Sequence, residues 1–210
     1  AVAAGEPGDP CLHAQRACSC RSGNVRYAHL QPPGPPPSPQ RRLEDAAMAQ
    51  YGRASYWSDR YTKDPELFDW YQRYSGLRDI VGQYVKREDA ILMSGCGNSR
   101  MTEDMFEDGF SSITNIDISR VVIDQMIERY KDKPTLIWQE MNVCNLDFPD
   151  ETFDAVLDKG TMDSLLCGEG STANVQKMAE EVSRVLKPAG VYIVISYGVP
   201  DNRLSYLEKD

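Results

Sequence analysis

Two glycines and one acid are the first residues in this sequence whose spacing suggests chemistry. Gly95 and Gly97 flank Cys96 directly after the apolar run 91–93, and Asp117 ends a second apolar run twenty residues later. Because glycine has no Cβ, its amides can approach a ligand closely. A carboxylate at the end of the neighbouring strand can accept hydrogen bonds from two ribose hydroxyls. The spacing predicts a site for an adenosine-type ligand.

The turn lacks one residue of the dinucleotide-binding fingerprint. That fingerprint requires a third glycine, and Arg100 stands in its place. Because the loss weakens pyrophosphate binding, the ligand is expected to contain adenosine without phosphates. Asn142 and Val143, which follow the third predicted strand, are expected to meet the adenine edge. Residues 158–161 follow the fourth strand and open onto the same crevice, where ligands of open α/β sheets bind.

Histidine chemistry is not expected in residues 48–210, the part of the chain that is predicted to fold. Both histidines lie in the first 47 residues, so Ser-His, Cys-His and histidine-metal catalysis have no residues to work with later. The early Cys and His residues lack a zinc-ligand spacing, and no metal site is predicted. Single cysteines at positions 96, 144 and 167 suit reduced thiols and predict a cytoplasmic protein.

The charge balance of the chain limits the kinds of partner that it is expected to bind. The chain has 32 acidic and 23 basic residues, and the excess of acid lies after residue 47. Phosphate backbones attract the opposite charge, so nucleic acid is not an expected partner. No apolar run approaches the length of a membrane span, so a membrane is not expected either. A small neutral ligand or a basic protein surface fits this balance.

Composition divides the chain near residue 48. Residues 1–47 contain eight of the thirteen prolines and no periodic apolar pattern, which predicts a disordered, Pro-rich N-terminal extension. Residues 48–210 alternate short apolar runs with amphipathic segments. Strands are predicted near 91–93, 112–117, 136–141, 153–157 and 191–196. The pattern predicts an α/β fold, a doubly wound, mainly parallel sheet with helices on both faces.

Several motifs together resemble a known family. They are Tyr56-Trp57 with Arg60-Tyr61, Ser94-Gly95-Cys96-Gly97-Asn98-Ser99, Asn115-Ile116-Asp117-Ile118-Ser119, Leu146-Asp147-Phe148-Pro149 and Asp158-Lys159-Gly160-Thr161-Met162-Asp163. In these the chain is similar to the class I S-adenosylmethionine methyltransferases that modify lysines or the N-terminus of eukaryotic translation elongation factor 1-alpha. The citrate synthase lysine methyltransferase is a close relative of that family.

The resemblance implies a Rossmann-like fold, S-adenosylmethionine as cofactor and a role for each matching residue. Gly95 and Gly97 would line the cofactor, Asp117 would hold the ribose hydroxyls and Ile118 would pack on the adenosine. The remaining implied contacts are Asn142 and Val143 at the adenine, Lys159 beside the cofactor, and Trp57, Tyr61 and Trp70 over the methionine end. The basic protein substrate would be a lysine-bearing one such as elongation factor 1-alpha.

Methyl transfer to a lysine requires a neutral amine. At pH 7 deprotonation costs about 4 to 5 kcal/mol, from roughly 3 pKa units at 1.36 kcal/mol each. Asp158 and Asp163 are the candidate carboxylates and Tyr197 a candidate wall, so these three are the catalytic candidates. An equal alternative makes Asp163 an acid that complements a helix N-terminus. A non-catalytic scaffold and a small-molecule methyltransferase are the other functions that the sequence leaves open.

The C-terminal strands of the fold are expected to be missing. Class I methyltransferases have two more strands after the fifth, whereas about a dozen residues follow Ser196. The fifth strand would then expose an unpaired apolar edge, which predicts a covering partner or self-association. Weak cofactor binding and little methyl transfer are the corresponding expectations for the chain.

Overall fold

A seven-stranded sheet organises the computed structural model, which describes residues 13–20, 23–29 and 49–208. In these residues the strands are β1 (His13–Cys20), β2 (Gly23–His29), β3 (Ile91–Ser94), β4 (Ile113–Asp117), β5 (Ile137–Glu140), β6 (Phe153–Lys159) and β7 (Leu186–Ser196). Their order across the sheet is β1-β2-β7-β6-β3-β4-β5. Only the β1–β2 pair is antiparallel among the pairs of these described strands.

Helices cover both faces of this sheet. They are α1 (Ala54–Lys63), α2 (Tyr74–Tyr84), α3 (Met101–Glu107), α4 (Arg120–Arg129), α5 (Thr161–Leu166), α6 (Ser171–Val185) and α7 (Asp201–Leu207), preceded by a 3-10 turn at Ala49–Gly52. One apolar core contains residues of α1 to α4, and a second contains residues of α6 and α7. The prediction of a doubly wound α/β sheet is confirmed. No helix in the described ranges is long and apolar enough to cross a membrane.

Strand β3 lies between the two apolar cores and contributes side chains to both. It pairs with β4 on one side and β6 on the other. Ile91 and Met93 belong to one core and Leu92 to the other, since successive side chains of a strand point to opposite faces. A strand that is buried on both faces favours consecutive apolar residues, which explains the run 91–93 that precedes Ser94 and the glycines.

The outer edge of β7 differs from the sequence prediction. Strand β2 runs parallel to β7, with Asn24 opposite Val191 and His29 opposite Ser196, and β1 extends the sheet beyond β2. Disorder was predicted for residues 1–47 and an open edge for β7. Pairing satisfies the backbone groups that an apolar edge strand would otherwise leave open. The other residues of the predicted extension lie outside the described residues.

Candidate functional site

A cavity of about 710 Å³ opens at the carboxyl ends of β3, β4, β5 and β6. Open α/β sheets bind their ligands at this end. The ten residues that the sequence predicts as cofactor contacts all lie on its wall: Trp57, Tyr61, Trp70, Gly95, Gly97, Asp117, Ile118, Asn142, Val143 and Lys159. Their individual contacts with a cofactor stay predictions, but the fold brings them around one space.

The glycine turn has a conformation that only glycine adopts without strain. Gly95 has φ +62° and Gly97 has φ +52°. A Cβ on Gly95 would lie 2.0 Å from Thr161 Oγ1, and one on Gly97 would lie 2.8 Å from the Tyr61 hydroxyl. Thr161 Oγ1 donates to the Ser94 carbonyl at 2.8 Å, so the turn is packed directly against α5. The turn therefore forms a backbone-lined floor for the cavity.

Asp117 projects from the end of β4 beside this floor. Its carboxylate accepts the Gly97 amide at 2.9 Å through Oδ2 and the Ser119 amide at 2.9 Å through Oδ1. Burial raises the pKa of Asp117 to about 6, while the backbone amides act in the opposite direction. The carboxylate is therefore charged at neutral pH. Since two oxygens offer about four acceptor sites, it keeps acceptors for a pair of hydroxyls.

Apolar surface flanks Asp117 on the side towards β5. Ile118 is 38% exposed although it is aliphatic, and it lines the cavity next to the buried Val143. Asn142 Oδ1 accepts the Cys144 amide at 2.9 Å, which fixes the loop that follows β5. A flat apolar ligand surface such as adenine fits between these groups. The Asn142 side chain holds the loop in shape, and its contact with adenine stays a prediction.

Aromatic side chains from α1 and from the segment after it close the opposite end. Trp57 stacks on Tyr61 with ring centroids 5.9 Å apart and meets Trp70 edge-on at 6.2 Å. Trp57 Nε1 donates to the Tyr51 carbonyl at 2.7 Å and to Ser164 Oγ at 3.1 Å. Burial strongly raises the pKa of the Tyr61 hydroxyl, so this wall is uncharged.

A crossing segment, residues 66–72, runs over the ends of β3 and β6. Asn98 fastens it from the glycine turn, since its carbonyl accepts the Phe68 amide at 3.0 Å and its side-chain amide donates to the Glu66 carbonyl. Lys159 Nζ donates to Asp69 Oδ1 and to the Trp70 carbonyl, both at 3.1 Å. Sequence reasoning missed Asp69 and Asn98. The only signal for Asp69 is an acid between Phe68 and Trp70.

Asp163 ties the crossing segment to the C-terminal part of the chain. It accepts the Tyr71 hydroxyl at 2.8 Å, the Tyr197 amide at 2.8 Å and the Ser196 hydroxyl, and it pairs with Arg203 Nη2 at 2.8 Å. Asp163 and Tyr197 are not among the residues of the cavity wall. A carboxylate with these donors already in place is poorly suited to accept a proton from a substrate.

Tyr197 lies outside the cavity as well. Its side chain is 60% exposed and stacks on Tyr71 with ring centroids 6.5 Å apart. Tyr71 itself has φ +64°, which is unusual for a residue other than glycine. The geometry gives Asp163 and Tyr197 a role in holding Tyr71, while the catalytic roles that the sequence predicts for them stay predictions.

Asp158 is the third predicted catalytic residue and lies in the interior. It is fully buried and accepts the Thr161 amide at 2.8 Å, the Met162 amide at 3.1 Å and the Tyr192 hydroxyl at 3.0 Å. Burial raises its pKa to about 7. The amides of Thr161 and Met162 lie at the start of α5, where unpaired amides attract a carboxylate. The carboxylate therefore fixes α5 and does not reach the cavity wall.

The replacement Asp158→Asn tests this structural role. The folded pKa is above the ordinary value, so wild-type stability gains from Asp158 as the pH falls from about 7 towards 4, by up to about 4 kcal/mol. Chemical denaturation at several pH values should show that the variant lacks this gain. Affinity for S-adenosylhomocysteine, the demethylated form of the cofactor that the resemblance implies, should stay within about threefold of wild type, because no ligand contact is removed.

The exposed acid Asp147 provides the matched control. Asp147→Asn should leave both the pH dependence of stability and the ligand affinity unchanged. Asp158 would instead act as a base if two results occurred together. The free energy of unfolding of Asp158→Asn would depend on pH as in wild type, and its methyl-transfer rate would no longer rise with pH through the pKa of Asp158.

Comparison with known proteins identifies the family. Residues 92–194 match the family described as "Methyltransferase domain". Mouse EEF1A lysine methyltransferase 4 is 35% identical over 185 residues, which cover 83% of this chain and 70% of that protein. Mouse eEF1A lysine and N-terminal methyltransferase is 40% identical over 151 residues, but the match covers 70% of this chain and only 22% of that protein.

A solved structure agrees on the fold. The 1,6-didemethyltoxoflavin-N1-methyltransferase of Burkholderia thailandensis, solved with 1,6-didemethyltoxoflavin and S-adenosylhomocysteine, is 18% identical with a TM-score of 0.50. The match covers 79% of this chain and 68% of that one. At this identity the likeness concerns the fold alone.

The cavity fits S-adenosylmethionine, the cofactor of the family. The glycine turn leaves space that a Cβ would fill, Asp117 offers acceptors for hydroxyls, and Ile118 and Val143 offer apolar surface. The resemblance found in the sequence is confirmed by relatives that carry the same activity in their names. The chain belongs to the S-adenosylmethionine-dependent protein-lysine methyltransferases, in the family of the eEF1A lysine methyltransferases.

Proposed function

We propose that this chain methylates a lysine of eEF1A in the cytoplasm. The observation that carries the proposal is the cavity, which combines the glycine turn, Asp117 and the aromatic wall at one end of the sheet. The names of the two mouse relatives support eEF1A as the substrate. The free thiols of Cys96, Cys144 and Cys167 support a cytoplasmic location, because thiols persist in reducing compartments.

The charge of the chain supports a basic protein as the substrate. The net charge is −9 at pH 7, and the acidic excess lies in the part that folds around the cavity. Opposite charge raises the rate at which a basic surface finds the enzyme. The predicted partner at the edge of β7 is not part of the proposal, since β2 pairs with that edge.

The reaction needs a neutral amine held in line with a methyl group. S-adenosylmethionine supplies an electrophilic methyl on a sulfonium when it is bound. The chain's part is to bind the cofactor, to orient the lysine and to exclude water. Trp57 and Trp70 provide an apolar wall that favours the neutral form of an approaching amine.

The acceptor of the proton that the amine loses can be inferred from the carboxylates around the cavity. The cavity-wall acids in the described part of the chain are Asp117, Glu180 and Glu181. Asp117 accepts two backbone amides and is reserved for the ribose hydroxyls, Glu181 pairs with Arg184 at 2.8 Å, and Glu180 is exposed to solvent on α6. Asp158 and Asp163 point to other partners. We therefore infer that the amine gives its proton to water before it reaches the aromatic wall, so that the enzyme contributes alignment and desolvation.

Transfer of a tritiated methyl group into a size-resolved cell lysate tests the proposal. Label is expected in one protein band with the mobility of eEF1A, and acid hydrolysis of that band should release methylated lysine. The cofactor-site variant Asp117→Ala should give no band above background. Label in small molecules, or label that hydrolysis recovers in residues other than lysine, would contradict the proposal.

A further inference from the structure

A buried ion pair joins the crossing segment to β6. Lys159 Nζ lies 3.1 Å from Asp69 Oδ1, and the two side chains are only 7% and 9% exposed. Ser99, at the end of the glycine turn, donates its hydroxyl to the same Asp69 oxygen. Asp69 therefore links three elements: the crossing segment, the glycine turn and the end of β6.

Among the residues that the structure describes, two groups accept hydrogen bonds from the Lys159 ammonium, which leaves one donor. A lysine ammonium carries three N–H groups, and two of them are directed at Asp69 and at the Trp70 carbonyl. Lys159 lies on the cavity wall, whereas Asp69 is not among the wall residues. The third donor is thus available to a ligand in the cavity, while Asp69 contacts the ammonium from outside the cavity wall.

We propose that Asp69 is a positioning residue, which keeps Lys159 charged and aimed so that its third N–H binds the carboxylate at the methionine end of the cofactor. The proposal rests on the proposed function, because it takes S-adenosylmethionine as the ligand. It assigns a role to a residue that does not itself touch the cavity. Ser99 restrains Asp69 in this arrangement through the shared oxygen.

The charge balance explains why an acid is needed behind Lys159. Burial lowers the pKa of Lys159, and the Asp69 carboxylate opposes that effect. Asp69 is the charged group that faces Lys159 among the described residues, and Asp104 on α3 lies near enough for its charge to interact with Asp69. Without Asp69 the pKa of Lys159 would fall further, because a buried cation would have lost its counter-charge. Carboxylate binding would then require uptake of a proton.

Titration calorimetry with two ligands tests this role. S-adenosylhomocysteine carries the carboxylate, whereas 5′-methylthioadenosine keeps the adenosine and the thioether but lacks the amino-acid end. The proteins are wild type, Asp69→Asn and the control Glu66→Gln, which removes an exposed acid from the same segment. Measurements between about pH 7 and 8.5 keep Asp117 charged, since its pKa is about 6.

The expected result is selective for one ligand and one variant. In Asp69→Asn the affinity for S-adenosylhomocysteine should fall as the pH rises, by up to about tenfold per pH unit, and more steeply than in wild type and Glu66→Gln. The affinity for 5′-methylthioadenosine should not depend on pH in any of the three. Equal losses for both ligands, or an unchanged pH profile in Asp69→Asn, would overturn the proposal. Failure of wild type to bind either ligand would instead count against the cofactor site itself.

Discussion

Replacing Asp117 by alanine is expected to lower the affinity for S-adenosylhomocysteine at least tenfold. The carboxylate stands at the end of β4 on the cavity wall, held by the amides of Gly97 and Ser119. Hydrogen bonds to a charged acceptor contribute about 1.5–3 kcal/mol each, and two ribose hydroxyls would lose their acceptor together. Calorimetric titration at about pH 7.5 measures the effect where the wild-type carboxylate is charged.

Asp124→Ala is the matched control for this variant. Asp124 is an exposed acid on α4 that pairs with Arg120 at 2.7 Å on the helix surface. Its removal should leave the affinity unchanged, because exposed pairs of this kind contribute little. Equal affinity in wild type and Asp117→Ala, with both proteins folded by circular dichroism, would refute the ribose assignment.

The replacement Gly95→Ala is expected to reduce both stability and cofactor binding. A non-glycine residue in the left-handed region costs about 1–2 kcal/mol. The new Cβ would also lie 2.0 Å from Thr161 Oγ1, so Thr161 must move and give up its bond to the Ser94 carbonyl. Together these effects predict a loss of about 2–4 kcal/mol in the free energy of unfolding, measured by chemical denaturation.

Gly82→Ala separates this local effect from a general sensitivity to added methyl groups. Gly82 lies within α2, and a Cβ there would meet nothing within 4 Å. Alanine in a helix is favoured over glycine by about 0.5–1 kcal/mol, so this variant should be slightly more stable than wild type. Equal stabilities of Gly95→Ala and Gly82→Ala would contradict the packed turn.

The central strands and the cavity wall could be predicted because their signals are local. An unbroken apolar run identifies β3, and the glycines after it mark a turn that no other residue forms without strain. The distance from Gly97 to Asp117 reflects one helix and one strand of ordinary length. These features follow from neighbours in the sequence, so periodicity and spacing are sufficient to find them.

The roles of the acids could not be predicted, because they depend on contacts distant in sequence. Asp158 lies near the end of β6 and Asp163 follows that strand, and in the sequence the two look equally suited to catalysis. Asp158 accepts a hydrogen bond from the hydroxyl of Tyr192, 34 residues later, and Asp163 pairs with Arg203, 40 residues later. Asp69 gains its importance from Lys159, 90 residues away. Such roles become visible only when the chain is folded.

Strand β2 escaped prediction for a different reason. Residues 23–29 contain only a short alternation of polar and apolar residues at positions 24–27, which is too brief to distinguish a strand from a loop. These residues pair with the edge of β7, so they form a strand because of the partner strand rather than because of their local sequence.

The most direct test of the account is the intact mass of purified eEF1A after incubation with this protein and S-adenosylmethionine. We expect the mass of eEF1A to increase by whole methyl increments, which peptide mapping should assign to lysine, and we expect no increase when Asp117→Ala replaces the wild type. An unchanged mass in the presence of wild-type protein that binds S-adenosylhomocysteine would contradict eEF1A as the substrate. Increments of equal size with Asp117→Ala would contradict the cavity as the site of transfer.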